Sequence, residues 1–214
     1  MAFEVEKRDL ICGVCGESSP QDVVVSYDLD SSMPDLDLRP DEPHRSYLKY
    51  WVQECPCCGY CNASVDIPAV FTREFLESDR YNNTELSGLA DKFMKMSMVC
   101  VKNKLYEEAL KACLYAAWAC DDEKDDEGAV RCRKAALKVY HDHRNAFAGD
   151  PNILILVADL MRRSGDFDGV IREYMNRFFP MPILTAISAF EVQLAAKKDP
   201  FRHSVGEIQG ASLK

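Results

Sequence analysis

Two short segments of the chain repeat one design. Cys12-Gly13-Val14-Cys15-Gly16 and Cys55-Pro56-Cys57-Cys58-Gly59 are each a CxxC followed directly by glycine. Two residues between cysteines let one tight turn aim both sulfurs at a common ion. A glycine after the second cysteine can take positive φ without a Cβ clash, which leaves backbone N–H groups to donate to the thiolates. Two such turns supply four sulfurs, the soft tetrahedral set that zinc prefers in closed structural sites. The candidate metal ligands are therefore Cys12, Cys15, Cys55 and Cys58, and the expected cofactor is a structural Zn2+ ion. The 39 residues between Cys15 and Cys55 exceed compact zinc-finger spacings. Loop closure nevertheless costs only about 0.6 kcal/mol per doubling of length. A module below about 70–80 residues generally needs a metal, disulfides or a partner surface, and structural zinc supplies on the order of 10–16 kcal/mol in peptide systems. Cys58-Gly59-Tyr60-Cys61 is a rival CxxC register. It places Asn62 where the other register has glycine, so the pair Cys55 and Cys58 matches the first turn better.

Other chemistries fit less well. A thiol–disulfide exchange motif opens a helix whose N-terminus lowers a thiol pKa, whereas Cys12 follows a strand-like Phe3-Glu4-Val5 and precedes Gly16, Ser18, Ser19 and Pro20. The spare thiols Cys57 and Cys61 keep open an alternative reading, a thiol-based redox sensor or enzyme using the cysteine-rich site. Residues 1–62 carry five basic and twelve acidic side chains, and the whole chain has a formal charge of −9. Modules that grip nucleic acid surround the metal with Lys and Arg, so no nucleic-acid partner is expected. No apolar run approaches the roughly 20 residues that cross a bilayer, and the start MAFEVEKRDL lacks the apolar core of a secretion signal. The expected location is cytoplasmic, with no membrane partner. Ten cysteines in such a compartment read as thiols and metal ligands. No G-x-S-x-G, P-loop or H-E-x-x-H occurs, and no residue is assigned a catalytic role. His141 and His143 lie two apart on a helix and point in different directions. Cys100, Cys113, Cys120 and Cys132 read as small apolar residues. Met94, Met96 and Met98 read mainly as core filling.

The expected fold class is α+β, mostly α: a small zinc-ribbon-like β module over residues 1–66, a tetratricopeptide-like antiparallel helical domain over 84–198, and a flexible tail at 199–214. Val23–Tyr27 and Tyr47–Val52 read as strands, and Asp28–Arg45 between them reads as an extended loop. Apolar spacing draws helices at about 85–102, 105–120, 128–144 and 151–164, a fifth marked by Phe167, Val170, Ile171, Tyr174 and Phe178, and a last with Ile183, Leu184, Ile187, Phe190 and Leu194. Asn103–Leu110 and Ser164–Ile171 look like matching helix–turn–helix corners, each with an aromatic just inside the second helix. Small residues Ser97, Ala109 and Ala116 fall where a tetratricopeptide repeat brings its helices close, although Val170 and Arg177 depart from that pattern and no fixed 34-residue period holds. A plain antiparallel bundle is the other reading.

The two CxxCG turns, the stretch Pro34-Asp35-Leu36-Asp37-Leu38-Arg39-Pro40, the run Trp51–Tyr60, Trp118 and the Gly165-Asp166-Phe167 corner together resemble a bacterial family of unknown function. That family has paired zinc-type cysteines near its N-terminus and a tetratricopeptide-like region behind. The resemblance implies a predicted metal-binding cytoplasmic protein and supplies no reaction. The expected role is a protein-interaction adaptor or scaffold whose helical domain binds a protein or peptide. Asp35, Asp37 and Arg39 are expected either to anchor the long loop by ion pairs to the helices or to line a ligand groove.

Overall fold

The computed structural model describes residues 3–26 and 33–208. Helices dominate, and two small antiparallel sheets lie among the described residues, so the fold is α+β and mostly α. No helix among these residues is long and apolar enough to cross a membrane. Two compact units form, residues 1–30 with 46–132 and residues 31–45 with 133–214. These units cut the chain differently from the 1–66 and 84–198 division suggested by composition. Packing assigns the 31–45 loop to the second unit and the first long helices to the unit that holds the cysteine turns.

In the first unit, β1 (Glu4–Ile11) pairs antiparallel with β2 (Ser18–Ser26), and β3 (Gln53–Glu54) pairs with β4 (Cys61–Asn62). Tyr27, which the sequence placed in a strand, lies outside the described residues. Tyr47–Val52 is not a strand: His44–Tyr50 is a 3₁₀ helix. Three residues per turn put Tyr47 and Tyr50 on one side, where both meet Phe3, with ring centroids at 3.4 and 5.4 Å. Between residues 66 and 84 lie two single-turn helices, α1 (Arg73–Leu76) and α2 (Asp79–Asn82). Then come α3 (Gly88–Lys102) and α4 (Tyr106–Glu123), packed closely against each other. Ser97 Oγ donates to Ala109 O at 2.9 Å and lies 3.0 Å from Cys113 Sγ, so small residues do bring the two helices together. The next helix, α5 (Asp126–Asp142), contributes residues to both units.

The second unit contains α6 (Pro151–Arg163), α7 (Phe167–Tyr174) and α8 (Pro182–Ala196) around Leu36, Ile155, Leu184, Ile187, Leu194 and Val205. Asp150 caps α6 by accepting from Asn152 N–H at 2.8 Å, with Pro151 in the first turn where its missing N–H costs nothing. The fifth helix stops at Tyr174 rather than 178, because Asn176 takes a left-handed φ of 61°. Residues 199–208 are not a loose tail, and residues 209–214 lie outside the described residues. Arg162, fully buried, donates from Nη1 to Asp199 O (2.8 Å) and Phe201 O (2.7 Å), from Nε to Glu191 Oε2 (2.6 Å) and from Nη2 to Asp159 Oδ2 (2.8 Å). Beyond that clamp, Val205 N–H donates to Pro34 O and Leu36 N–H to His203 O. The Asp-rich loop therefore runs beside the C-terminal segment. Its buried Asp37 accepts from Arg163 of α6 at 2.8 Å, and Asp35 accepts from Arg45 at 2.6 Å. Anchoring, the first of the two expected roles, accounts for these carboxylates.

The helix corners share one backbone closure. Lys104, Lys124 and Gly165 are left-handed, and the next N–H reaches back five residues in each case. Leu105 donates to Cys100 O, Asp125 to Cys120 O and Asp166 to Met161 O, all at 2.9 Å. The two corners read as alike do match in backbone. The nearer side-chain twin of Asp166-Phe167-Asp168-Gly169-Val170-Ile171-Arg172 is Asp125-Asp126-Glu127-Gly128-Ala129-Val130-Arg131. In both, the aspartate Oδ1 accepts from the glycine N–H, at 3.0 and 2.8 Å respectively. The acidic run Asp121–Glu127 is mostly helix end, with only Lys124 and Asp125 between α4 and α5.

Candidate metal centre

Each CxxCG segment is the turn of a hairpin, the first joining β1 to β2 and the second joining β3 to β4. The backbone closures are the same in both. Cys12 N–H donates to Glu17 O and Cys55 N–H to Tyr60 O, each at 2.9 Å; Gly16 N–H donates to Cys12 O (3.0 Å) and Gly59 N–H to Cys55 O (2.9 Å). Gly16 and Gly59 have φ of 76° and 72°, a region open to glycine at no steric cost. The turned backbone then offers N–H groups to sulfur: Val14 to Cys12 at 3.4 Å, Glu17 to Cys15, and Tyr60 to Cys58.

The structure brings all four expected ligands together. The Sγ atoms of Cys12, Cys15, Cys55 and Cys58 lie within 4.8 Å of one another, an arrangement that could hold one metal ion. Cys12 and Cys58 are 3.7 Å apart and Cys15 and Cys55 3.6 Å, far beyond the S–S bond length of about 2.05 Å. All four are free thiols. The rival register fails because Cys61 is buried with its sulfur directed to Gly59 O at 3.5 Å. Cys57 is exposed at the rim.

Four close sulfurs cannot all ionise without a cation. Burial raises Cys58 and Cys12, whereas Cys15, despite some desolvation, is brought down to about 7 by Glu17 N–H and the neighbouring thiols. Hydrogen bonding to Cys15 raises Cys57, and burial pushes Cys61 up to about 12. Neither spare thiol is therefore a ready thiolate.

Residues that the spacing argument missed hold the turns in place. Tyr81 of α2 accepts from Cys61 N–H at 3.1 Å and donates to Gly59 O at 2.8 Å. Tyr60 donates to Ile67 O at 2.9 Å and accepts from Asn62 at 2.6 Å. Val65 ties the two turns together: its C=O accepts from Gly13 N–H at 2.8 Å, and its N–H donates to Gln53 Oε1 at 3.0 Å. Cys12, Cys55, Tyr60, Val65, Tyr81 and Val99 of α3 share one core cluster. The aromatic run Phe71, Phe75 and Tyr81 was the available signal, since its edge-to-face rings (4.9 and 5.3 Å between centroids) form the wall behind the second turn. Cys100, Cys113, Cys120 and Cys132 are buried on helices and stand outside the four-sulfur set.

No family model matches this chain, and no curated protein or solved structure is significantly similar to it.

Proposed function

We propose that the four sulfurs hold a structural zinc ion, and that the chain is a cytoplasmic protein-interaction adaptor rather than an enzyme. The observation carrying this reading is the pair of matched hairpin turns whose four sulfurs converge within 4.8 Å. Zinc–sulfur bonds of about 2.3 Å in a tetrahedron put sulfurs about 3.8 Å apart, close to the 3.6 and 3.7 Å separations present. A four-sulfur set leaves no open position for substrate, which suits a structural site. In this reading the paired hairpins are a zinc-ribbon-like module, and the repeated helix corners support a tetratricopeptide-like region that presents a face to a protein or peptide. The likeness to a bacterial family of unknown function rests on the cysteine turns and the Pro34–Pro40 stretch. A thiol-based reading would rest on Cys57 alone, since Cys61 is buried.

Elemental analysis of reduced, purified protein tests the metal: one zinc per chain is expected, lost in the Cys12→Ser, Cys55→Ser variant. Reduced protein without zinc removes the premise. A pull-down with the same variant as control tests the role, with the expected partner retained by intact protein only.

A further inference from the structure

We propose that a cleft beside the second cysteine turn binds an extended acidic peptide segment, whose carboxylates meet Lys7, Lys49 and Lys92. The cleft has a volume of about 610 Å³ and lies within the first unit, with β2 and β3 among its walls. Five basic side chains occur in residues 1–62. Arg8 is paired with Glu6 at 2.8 Å, Arg45 with Asp35 at 2.6 Å, and Arg39 is buried. The other two, Lys7 and Lys49, form no ion pair among the described residues, and both line this cleft. The positive charge of an acidic stretch that no carboxylate holds is thus gathered at one place, with Lys49 Nζ lying 5.0 Å from the Tyr50 ring centroid, and it favours anions there. Lys92 of α3 completes the rim, held by Glu54 at 3.1 Å.

The floor is already formed. The Gln21 side-chain amide donates to Glu54 O at 3.1 Å, and that of Gln53 donates to Asp22 O at 3.0 Å, so two crossed glutamines span from strand to strand. Those bonds use the two carbonyls, and Pro20 has no N–H, which leaves little backbone for an added strand. Recognition therefore falls to side chains. Asp22 and Glu54 stand among the lysines and oppose the closely spaced phosphates of a nucleic acid. Carboxylates set apart along a peptide suit that alternation, and Tyr50, Val52 and Pro56 offer apolar surface to the residues between them. The inference is separate from any partner of the helical region and uses the metal turn only as a wall, through Pro56.

The test is fluorescence anisotropy of a labelled octapeptide alternating Asp or Glu with Leu or Ser, titrated with reduced full-length protein at low salt. Micromolar binding is expected, weakened about tenfold or more by Lys7→Glu, Lys49→Glu and by replacing the peptide acids with amides, and falling with added salt. Both lysines are exposed, and an unchanged circular dichroism melt confirms that the variant folds. Equal binding to the double variant, no binding up to millimolar peptide, or tighter binding of a single-stranded oligonucleotide would overturn the proposal. Loss of binding in the double variant with zinc content unchanged separates this cleft from the metal reading.

Discussion

The two compact units face the same difficulty and meet it with different chemistry. In the first, residues 12–15 and 55–58 come together through four thiols. In the second, residues 34–39 and 199–205 are gathered by guanidinium groups: Arg162 takes two backbone carbonyls and two carboxylates, and Arg163 takes Asp37. Sulfur clusters are conditional, because crowded thiols become strongly cohesive only around a cation. A buried ionic network carries its own counter-charges and needs no added ion, but every member must find a partner. One unit should therefore respond to chelators and the other to pH and to point changes in charge.

Chelation should have the largest effect. Removing metal from the first unit is expected to cost on the order of 10 kcal/mol, abolishing amide-exchange protection in β1 to β4 and extending to the Val99 face of α3, which shares their core. Protection in α6 to α8 should persist, and uniform loss across the chain would break the contrast. Next comes Arg162→Met, which leaves two buried carboxylates and two carbonyls without their donor. A cost of about 3–5 kcal/mol is expected, with residues 199–208 exchanging fast and becoming protease-sensitive.

The pH response follows in size. Burial, then the neighbouring Asp159, outweigh Arg162 and push Glu191 up to about 8. Asp159 is likewise raised, chiefly by burial and by Asp37 against several arginines. Glu191 Oε1 and Asp159 Oδ1 have no hydrogen-bond donor, and one retained proton would serve both. The folded unit holds that proton where the unfolded chain, near 4.5, has released it. Its contribution is full below about pH 4.5 and is lost as pH rises through about 8. Denaturation midpoints of the second unit should fall between pH 5 and 8, and Glu191→Gln should flatten that slope. The smallest effect is expected from Gly13→Ala in the first unit. A Cβ there would run into the backbone oxygen of Ile67, so a loss of about 1–3 kcal/mol should appear as a lower melting temperature.

The candidate site was legible because two short turns carry their whole geometry locally: CxxCG specifies the sulfur spacing and the left-handed glycine together. The long helices were legible for a similar reason, since apolar periodicity and the Asp150-Pro151 start are local signals. What could not be read was set by distant partners. Tyr47–Val52 has the composition of a strand, but Phe3 on one side and Tyr115 with Trp118 on the other make a tight helical turn the better packing. Residues 199–208 look too polar to be ordered until Arg162, itself hidden in a helix, accounts for their carbonyls. The twin corners at Asp125 and Asp166 share Asp-x-x-Gly, a local signal independent of the aromatic positions of a tetratricopeptide corner.

Val65 hydrogen-bonds toward both sulfur-bearing turns through its peptide groups, one on each side of the residue. The two hydrogen bonds ask nothing of the side chain, while the fully buried Val65 side chain in the shared core confines replacement to apolar residues of similar size, such as isoleucine. Proline is the replacement that breaks the pair, because proline has no N–H to give Gln53. Part of the geometry of the four-sulfur cluster is thus stored in main-chain groups, which a conservative apolar replacement leaves in place.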